Sequence, residues 1–162
     1  METTVSYKKW QFKVDITRTK EIYSNPALKG SSEVCKCNPC KNFVLNRNQI
    51  YPREFIKLLN DLGIDKNKES EIYHMCKLED GFHLYGGWFH FKGEIIEGED
   101  CKIEYKNGGG SFKSFEINEN FRVSFFKDAA LNYFDKGESD SLIQVEFIAY
   151  SKWVIDRNLE PE

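Results

Sequence analysis

Three of the five cysteines lie within six positions of each other, in the stretch VCKCNPCKN at residues 34–42. Their spacing is C-x-C-x-x-C, formed by Cys35, Cys37 and Cys40. Thiolates are soft ligands that suit zinc, and a structural zinc ion takes four cysteine or histidine ligands in a tetrahedron. The spacing therefore predicts three ligands of a structural zinc site, with a role in stability rather than in catalysis.

A fourth zinc ligand must come from elsewhere in the chain. Residues 71–78 predict a strand, and residues two apart on a strand share one face. His74 and Cys76 would then lie on the same face, and we expect Cys76 to be the fourth ligand. His74 and Cys101 are the alternatives.

Two other interpretations of the cysteine motif stay open. Free cysteines often behave as small buried apolar side chains, so that Cys76 and Cys101 would be core residues and the motif would hold free thiols. Alternatively, the motif is a thiol redox sensor, because Lys36 and Lys41 supply the positive charge that lowers the pKa of a thiol. No βαβ pattern of the thioredoxin kind surrounds the motif.

The second candidate site is the stretch GFHLYGGWFHF at residues 81–91. Strand alternation places His83 and Tyr85 on one face, and Trp88 and His90 share a face beyond the two glycines. Such a surface could stack a sugar or a base, or hold a catalytic imidazole. The catalytic candidates are His83, Tyr85 and His90. The alternative is that the aromatic side chains belong to the core and the histidines lie at its polar margin.

Gly86 and Gly87 predict an interruption between two short strands. Because glycine has no side chain, the interruption would leave room for a ligand close to the backbone. We therefore expect a ligand pocket formed by Tyr85, Gly86, Gly87 and Trp88.

The elements that position these residues are mostly strands. Alternation from Trp10 to Ile16 predicts a half-buried strand, and residues 28–41 predict an irregular loop. In YPREFIKLLNDLGI, apolar residues at helical spacing follow Pro52 and end at Leu62, with Gly63 suited to the cap. Further short strands separated by glycine-rich turns are predicted at residues 71–78, 82–85, 88–91, 102–106, 111–117, 121–126 and 143–153.

This pattern predicts an α+β fold that is mostly antiparallel β, as a two-layer sandwich or a strongly curved sheet with one main helix packed on it. A chain of 162 residues is expected to form one domain. We assign residues 1–156 to this single β-rich domain and residues 157–162 to a loose C-terminal tail.

Composition limits the classes of function. The net charge is −3 and the basic residues are scattered, which argues against nucleic acid as a partner. No apolar run is long enough for a membrane span, and the first residues, METTVSYKKWQF, carry charges where a signal peptide needs an apolar run. These features predict a cytoplasmic protein without membrane contact. The sequence contains no G-x-S-x-G, Walker A, H-E-x-x-H or G-x-G-x-x-G motif.

Several motifs together resemble a family of uncharacterised bacterial proteins. They are C-x-C-x-x-C-x-N-F at residues 35–43, YP at 51–52, LGID at 62–65 and LYGGWFHF at 84–91. The resemblance implies a bacterial, cytosolic origin and implies that the cysteine motif and the Gly-Gly-Trp segment form one unit. It implies no activity, cofactor or catalytic residue.

These observations favour a non-catalytic cytosolic binding protein that acts on another, unknown protein. Its cysteine-rich loop would be clasped by structural zinc. One alternative is an enzyme or small-ligand binder that uses His83, Tyr85, Trp88 and His90. The other is a thiol redox sensor.

Overall fold

The computed structural model describes residues 2–162 and has an α+β fold dominated by antiparallel strands, which confirms the predicted fold class. The strands are β1 (Glu2–Tyr7), β2 (Trp10–Asp15), β3 (Glu71–Lys77), β4 (His83–Glu97), β5 (Lys102–Glu104), β6 (Gly110–Phe112), β7 (Phe115–Asn118), β8 (Phe121–Lys127) and β9 (Leu142–Ser151). The described helices are α1 (Ile16–Tyr23), α2 (Ser31–Cys35), α3 (Asn38–Ile50) and α4 (Arg53–Leu62), with 3-10 turns at Lys136–Ser141 and Arg157–Leu159.

Seven strands form the main sheet, in the order β1-β2-β4-β9-β8-β7, with β3 also paired to β4. Strand β4 is the longest and organises the sheet. One of its edges pairs with β9 from His83 to Lys92. The other edge pairs first with β3, at residues 83–88, and then with β2, at residues 93–97. Two different strands therefore share one edge of β4.

Side chains of α1 bridge the point where the partner of β4 changes. The Tyr23 hydroxyl donates to the His90 carbonyl at 2.8 Å and accepts from the His90 N–H at 3.0 Å. The Thr19 hydroxyl accepts from the Lys92 N–H at 3.1 Å. Since an unpaired buried backbone group is costly, these hydroxyls substitute for a missing strand neighbour.

Replacing Tyr23 by phenylalanine is expected to lower the free energy of unfolding by about 1–3 kcal/mol, because the backbone N–H and carbonyl of His90 both lose a buried hydrogen-bond partner. Urea denaturation measures the loss. Tyr105→Phe is the matched control, since Tyr105 is exposed, and its effect should be within a few tenths of a kcal/mol. Equal stability of the two variants would contradict the bridging role.

One face of the sheet, here called the inner face, packs on α3 and α4 and is rich in aromatic rings. Phe55 of α4 lies 4.7 Å from Phe121 of β8, and Phe43 of α3 lies 5.5 Å from Tyr85 of β4, between ring centroids. The fully buried sheet residues of this face include Phe12, Tyr85, Phe89, Phe91, Phe121, Phe125 and Phe147. The opposite face is here called the outer face.

Helix α4 confirms the helix predicted after Pro52. Pro52 is its N-cap, and Phe55, Leu58, Leu59 and Leu62 are buried as the spacing requires. Gly63 adopts the left-handed conformation at φ 85° and ends the helix.

The region predicted as a loop, residues 28–41, is largely helical, which corrects that prediction. It contains α2 and the first turn of α3, the longest described helix with 13 residues. The periodic apolar signal is weak because α3 buries polar side chains, Asn42 and Arg47, beside Phe43. Ile16 also belongs to a helix rather than to the predicted strand, since the Asp15 carboxylate accepts from the Arg18 N–H and caps α1.

None of the helices within residues 2–162 is long and apolar enough to cross a membrane.

Candidate metal centre

The three cysteines of the motif converge at the junction of α2 and α3. Cys35 is the last residue of α2, Cys37 is the N-cap of α3 and Cys40 lies in the first turn of α3. Lys36 makes the reversal between the helices in a left-handed conformation, with φ 60°. The three Sγ atoms all lie within 4.8 Å of one another, so the cluster could hold a metal ion.

The environments of these thiols differ. Cys35 and Cys37 are exposed and Cys40 is buried. The pKa of Cys35 is lowered, first by a hydrogen bond from the Cys37 N–H and then by hydrogen bonds from the other two thiols. The pKa of Cys40 is raised, mainly because burial disfavours its thiolate. A bound cation would hold such thiols in the thiolate form.

A buried ionic network fixes both helices beside the thiols. Glu69, which is fully buried, contacts Arg47 of α3, with 3.2 Å between Oε2 and Nη1. It also accepts hydrogen bonds from the backbone and hydroxyl of Ser32 in α2. Arg47 Nη2 contacts Glu33 Oε1 at 2.8 Å, so one guanidinium group holds α2 and α3 together.

A second anchor joins the start of α3 to the sheet. The Tyr85 hydroxyl donates to the Pro39 carbonyl at 2.8 Å. Asn42 Nδ2 donates to the Lys152 carbonyl at 3.1 Å, and Asn42 Oδ1 accepts from the Val154 N–H at 2.7 Å. Cys37 and Cys40 therefore belong to a helical turn that is held on the inner face.

The expected fourth ligand does not join the cluster. A register shift in β3 pairs His74 with Tyr85 but Cys76 with Leu84. Neighbouring residues of β4 point to opposite faces, so His74 lies on the inner face and Cys76 on the outer face. The prediction that both share a face is therefore wrong, and the thiol group found among the described residues contains neither side chain.

Cys101, the other candidate ligand, also lies outside the thiol group. It is buried, and its Sγ lies 3.5 Å from the Phe125 backbone nitrogen. Its pKa is raised, chiefly by burial. Cys101 thus behaves as a core residue, as the free-thiol interpretation expects, but Cys76 is exposed, so its expected place in the core is wrong.

His74 belongs instead to a chain of three hydrogen-bonded side chains. His74 Nε2 lies 2.8 Å from His83 Nδ1, and His83 Nε2 lies 2.8 Å from Glu160 Oε1. Since a carboxylate only accepts, His83 Nε2 donates to Glu160, and one of the two facing nitrogens, His74 Nε2 or His83 Nδ1, donates to the other. The side chain of Glu160 is 9% exposed and also pairs with Lys77.

This contact corrects the prediction of a loose tail at residues 157–162. The segment begins with a 3-10 turn capped by the Asp156 carboxylate. It then inserts Glu160 beside the fully buried His83. Local sequence patterns could not predict this contact, because His83 and Glu160 are far apart in the chain.

We call the hydrogen-bonded chain of His74, His83 and Glu160 the histidine relay. It should make the stability of the fold depend on pH. The pKa of Glu160 is lowered to about 2 from an ordinary 4.5, mainly by the hydrogen bond from His83. A carboxyl group whose pKa is lowered by folding stabilises the folded chain at pH values above its ordinary pKa. This stabilisation is lost as the pH falls toward the pKa of the folded state. Wild type is expected to unfold at a higher temperature than Glu160→Gln near neutral pH, and the gap should close toward pH 2.

Thermal unfolding followed by circular dichroism across this range measures the gap. Glu119→Gln is the control, because Glu119 is exposed and should show little difference at any pH. A difference in unfolding temperature between wild type and Glu160→Gln that stays constant with pH would contradict the relay.

The structure divides the second candidate site between two faces. Gly86 and Gly87 lie inside the continuous strand β4, not in an interruption. His83 and Tyr85 are fully buried on the inner face, whereas Trp88 and His90 lie on the outer face. The four side chains therefore do not converge.

The pocket expected at the two glycines is absent from the described residues for a steric reason. The ring of Tyr73 covers Gly86, where any Cβ would overlap it. Ile72 and Phe147 fill the space beside Gly87. Glycine is needed here so that β3 side chains can pack closely on the backbone, not so that a ligand can bind.

A crevice of about 580 Å³ does open elsewhere, and its lining mixes basic and acidic side chains. The charged side chains are Glu2, Lys13, Asp15, Lys92, Glu94, Asp100, Lys127 and Asp140. It includes no residue of the thiol cluster, of the histidine relay or of the predicted aromatic face.

Sequence reasoning missed a group of buried polar residues on the outer face: Ser124, Gln144 and Glu146, beside His90. In β9 the alternation Ile143-Gln144-Val145-Glu146 is typical of a strand with one solvent-facing side. Gln144 and Glu146 are nevertheless only 3% exposed.

No protein-family model matches this chain, and no curated protein or solved structure is significantly similar to it. The functional interpretation therefore depends on the geometry of its own side chains.

Proposed function

We propose that Cys35, Cys37 and Cys40 bind one zinc ion, which clasps α2 to α3. The observation that carries this proposal is the convergence of three Sγ atoms within 4.8 Å of one another. Ligands of a tetrahedral zinc–thiolate site lie about 3.8 Å apart, given Zn–S bonds near 2.3 Å, so a small contraction is enough. Three thiolates and no carboxylate favour a soft, borderline metal over magnesium or calcium.

The chain itself supplies three ligands, and water holds the fourth position until a side chain from a partner completes the four-ligand set of a structural site. Two features support this part of the proposal. Cys35 and Cys37 are exposed, so the cluster borders solvent. Cys76 lies on the outer face of the sheet, and His74 and Cys101 are held elsewhere by their own contacts.

The function that fits this centre is a non-catalytic binding protein of the cytoplasm. The clasped helices present two large apolar side chains to solvent, Val34 in α2 (65% exposed) and Leu45 in α3 (69% exposed). In this proposal a partner protein covers these two exposed apolar side chains. All five cysteines are free thiols, which suits a reducing compartment.

Metal content and thiol reactivity test the proposal directly. Protein purified under reducing conditions without chelator should contain about one zinc ion per chain by mass spectrometry. Cys35 and Cys37 should react with a thiol reagent only after chelation, whereas the exposed Cys76 reacts at once. Protein without metal, whose three exposed thiols all react at once, would overturn the zinc clasp.

A second candidate function is thiol redox sensing, favoured by the exposure and lowered pKa of Cys35. In that case mild oxidation of metal-free protein would join two of the three clustered thiols in a disulfide. Mass mapping after oxidation distinguishes the two functions, because a zinc-loaded centre should resist the oxidant.

A further inference from the structure

The outer face of the sheet carries a compact group of side chains from three neighbouring elements. Strand register places Trp88 directly opposite Glu146 and His90 directly opposite Gln144. Tyr73 of β3 lies over Gly86 and beside Trp88, with 6.1 Å between ring centroids. We call Tyr73, Trp88, His90, Gln144 and Glu146 the outer-face cluster.

Several polar atoms of this cluster lack a partner within residues 2–162. Neither ring nitrogen of His90 nor the Gln144 Oε1 atom meets a hydrogen-bond partner of normal geometry, although these side chains are 0% and 3% exposed. Burial lowers the pKa of His90 to about 4, and it outweighs the opposing hydrogen-bonding effects of the Gln144 side chain and the Asp128 backbone, which are too poorly aligned to count as full hydrogen bonds. His90 is therefore neutral at physiological pH and offers one acceptor nitrogen.

Glu146 is the acidic member of the cluster, and its carboxyl group also has few hydrogen-bond partners. Its carboxylate accepts one long hydrogen bond, from Gln144 Nε2 at 3.3 Å. Among the described residues no lysine or arginine pairs with it. The cations on the strands of this face are committed elsewhere: Lys92 contacts Glu138 at 2.9 Å, Lys13 contacts Glu2 and Glu94, and Arg122 contacts Ser114.

The consequence is visible in the ionisation of Glu146. Burial raises its pKa to about 7, and the nearby Asp128 charge adds to this rise. A buried carboxylate without a cation is strongly unfavourable, so the site has a local demand for positive charge.

The aromatic side chains specify the ligand further. Tyr73 and Trp88 form a wall beside Glu146, and the negative charge of Glu146 raises the pKa of Tyr73 in addition to the effect of burial. Trp88 is only partly buried and donates its Nε1–H to the Leu131 carbonyl at 2.9 Å, which places the cluster next to segment 128–135. A cation beside such rings gains attraction from their faces.

We propose that the outer-face cluster binds a small primary ammonium compound. Its charge compensates Glu146, and its three N–H groups match the three acceptors Glu146, Gln144 Oε1 and the neutral His90 imidazole. Tyr73 and Trp88 contact its alkyl part. This site shares no residue with the thiol cluster. The result of the amine-binding test therefore does not bear on whether the chain binds zinc.

Isothermal titration with methylammonium, ethylammonium and 1,4-diaminobutane tests the proposal, with ethanol and acetate as neutral and anionic comparisons. Wild type should bind at least one of the amines saturably, and ethanol and acetate should not bind. Glu146→Gln, which keeps the shape but removes the charge, should weaken binding at least tenfold. Glu119→Gln, at an exposed site, should leave it unchanged.

A second variant, Gln144→Met, keeps the test decisive if Glu146→Gln does not fold. It removes the amide acceptor while retaining similar volume, and it should also weaken amine binding. Side-chain amide resonances of Gln144 in wild type should shift on titration. Absence of saturable binding by every amine, equal binding by Glu146→Gln, or preference for acetate would each overturn the proposal.

Discussion

Replacing Cys40 by serine is expected to abolish stoichiometric zinc binding and to remove the dependence of stability on metal. Cys40 is the buried member of the thiol cluster, and a serine hydroxyl is a poor ligand for a soft metal site. A ligand that binds only the folded chain stabilises it by about 2.7 kcal/mol at 100 times its dissociation constant and about 4.1 kcal/mol at 1,000 times. Chelation should therefore destabilise wild type by about that amount.

The informative quantity is the change in unfolding midpoint on adding chelator, not the midpoint itself. A buried serine also alters packing at residue 40, but that effect is the same with and without metal. Wild type should show a clear fall on chelation, and Cys40→Ser should show none. Cys76→Ser is the matched control, because Cys76 is an exposed cysteine outside the cluster, and it should respond as wild type does.

Two results would contradict the clasp. One is a wild-type midpoint that does not change on chelation although zinc is shown to leave. The other is a loss of zinc in Cys76→Ser as large as that in Cys40→Ser, since it would return Cys76 to the ligand set.

Replacing Arg47 by methionine is expected to lower the free energy of unfolding by about 3–5 kcal/mol, the usual cost of leaving one partner of a buried ion pair alone. Arg47 is the cation of the fully buried Glu69, whose pKa is already raised by burial. Without the guanidinium group, Glu69 must either remain charged and unpaired or take up a proton. The contact between Arg47 and Glu33 in α2 is lost as well.

Urea denaturation at neutral pH measures this cost. Arg53→Met is the matched control, because Arg53 is exposed at the start of α4, and it should change stability by less than about 0.5 kcal/mol. The double variant Arg47→Met/Glu69→Gln should be more stable than Arg47→Met alone, since it removes the stranded charge. A loss below about 1 kcal/mol for Arg47→Met would show that the ion pair between Arg47 and Glu69 contributes little to the free energy of unfolding.

The same network links stability to the thiol cluster. Arg47 holds α2 and α3, and the thiols lie where these two helices meet. Arg47→Met is therefore also expected to weaken zinc binding, although it changes no ligand.

The parts that the sequence determined are those encoded within a few residues. The helix after Pro52 follows from the spacing of Phe55, Leu58, Leu59 and Leu62, and the structure places these side chains in the core. Alternation likewise identified β2 and β9, and the antiparallel fold class follows from short strands joined by tight turns. The closeness of Cys35, Cys37 and Cys40 was also local, because all three lie between the last residue of α2 and the first turn of α3.

The tertiary structure decided which residues meet across the sheet. A single bulge in β3 moved Cys76 to the face opposite His74, because shifting the register of a strand by one residue reverses every later side chain. Glu160 contacts His83, from which it is distant in the chain. Gln144 and Glu146 are buried beside His90, because segments distant in the chain pack over them. Local patterns report which side of a strand is polar. They cannot report whether another segment covers that side, since covering depends on the packing of the whole chain.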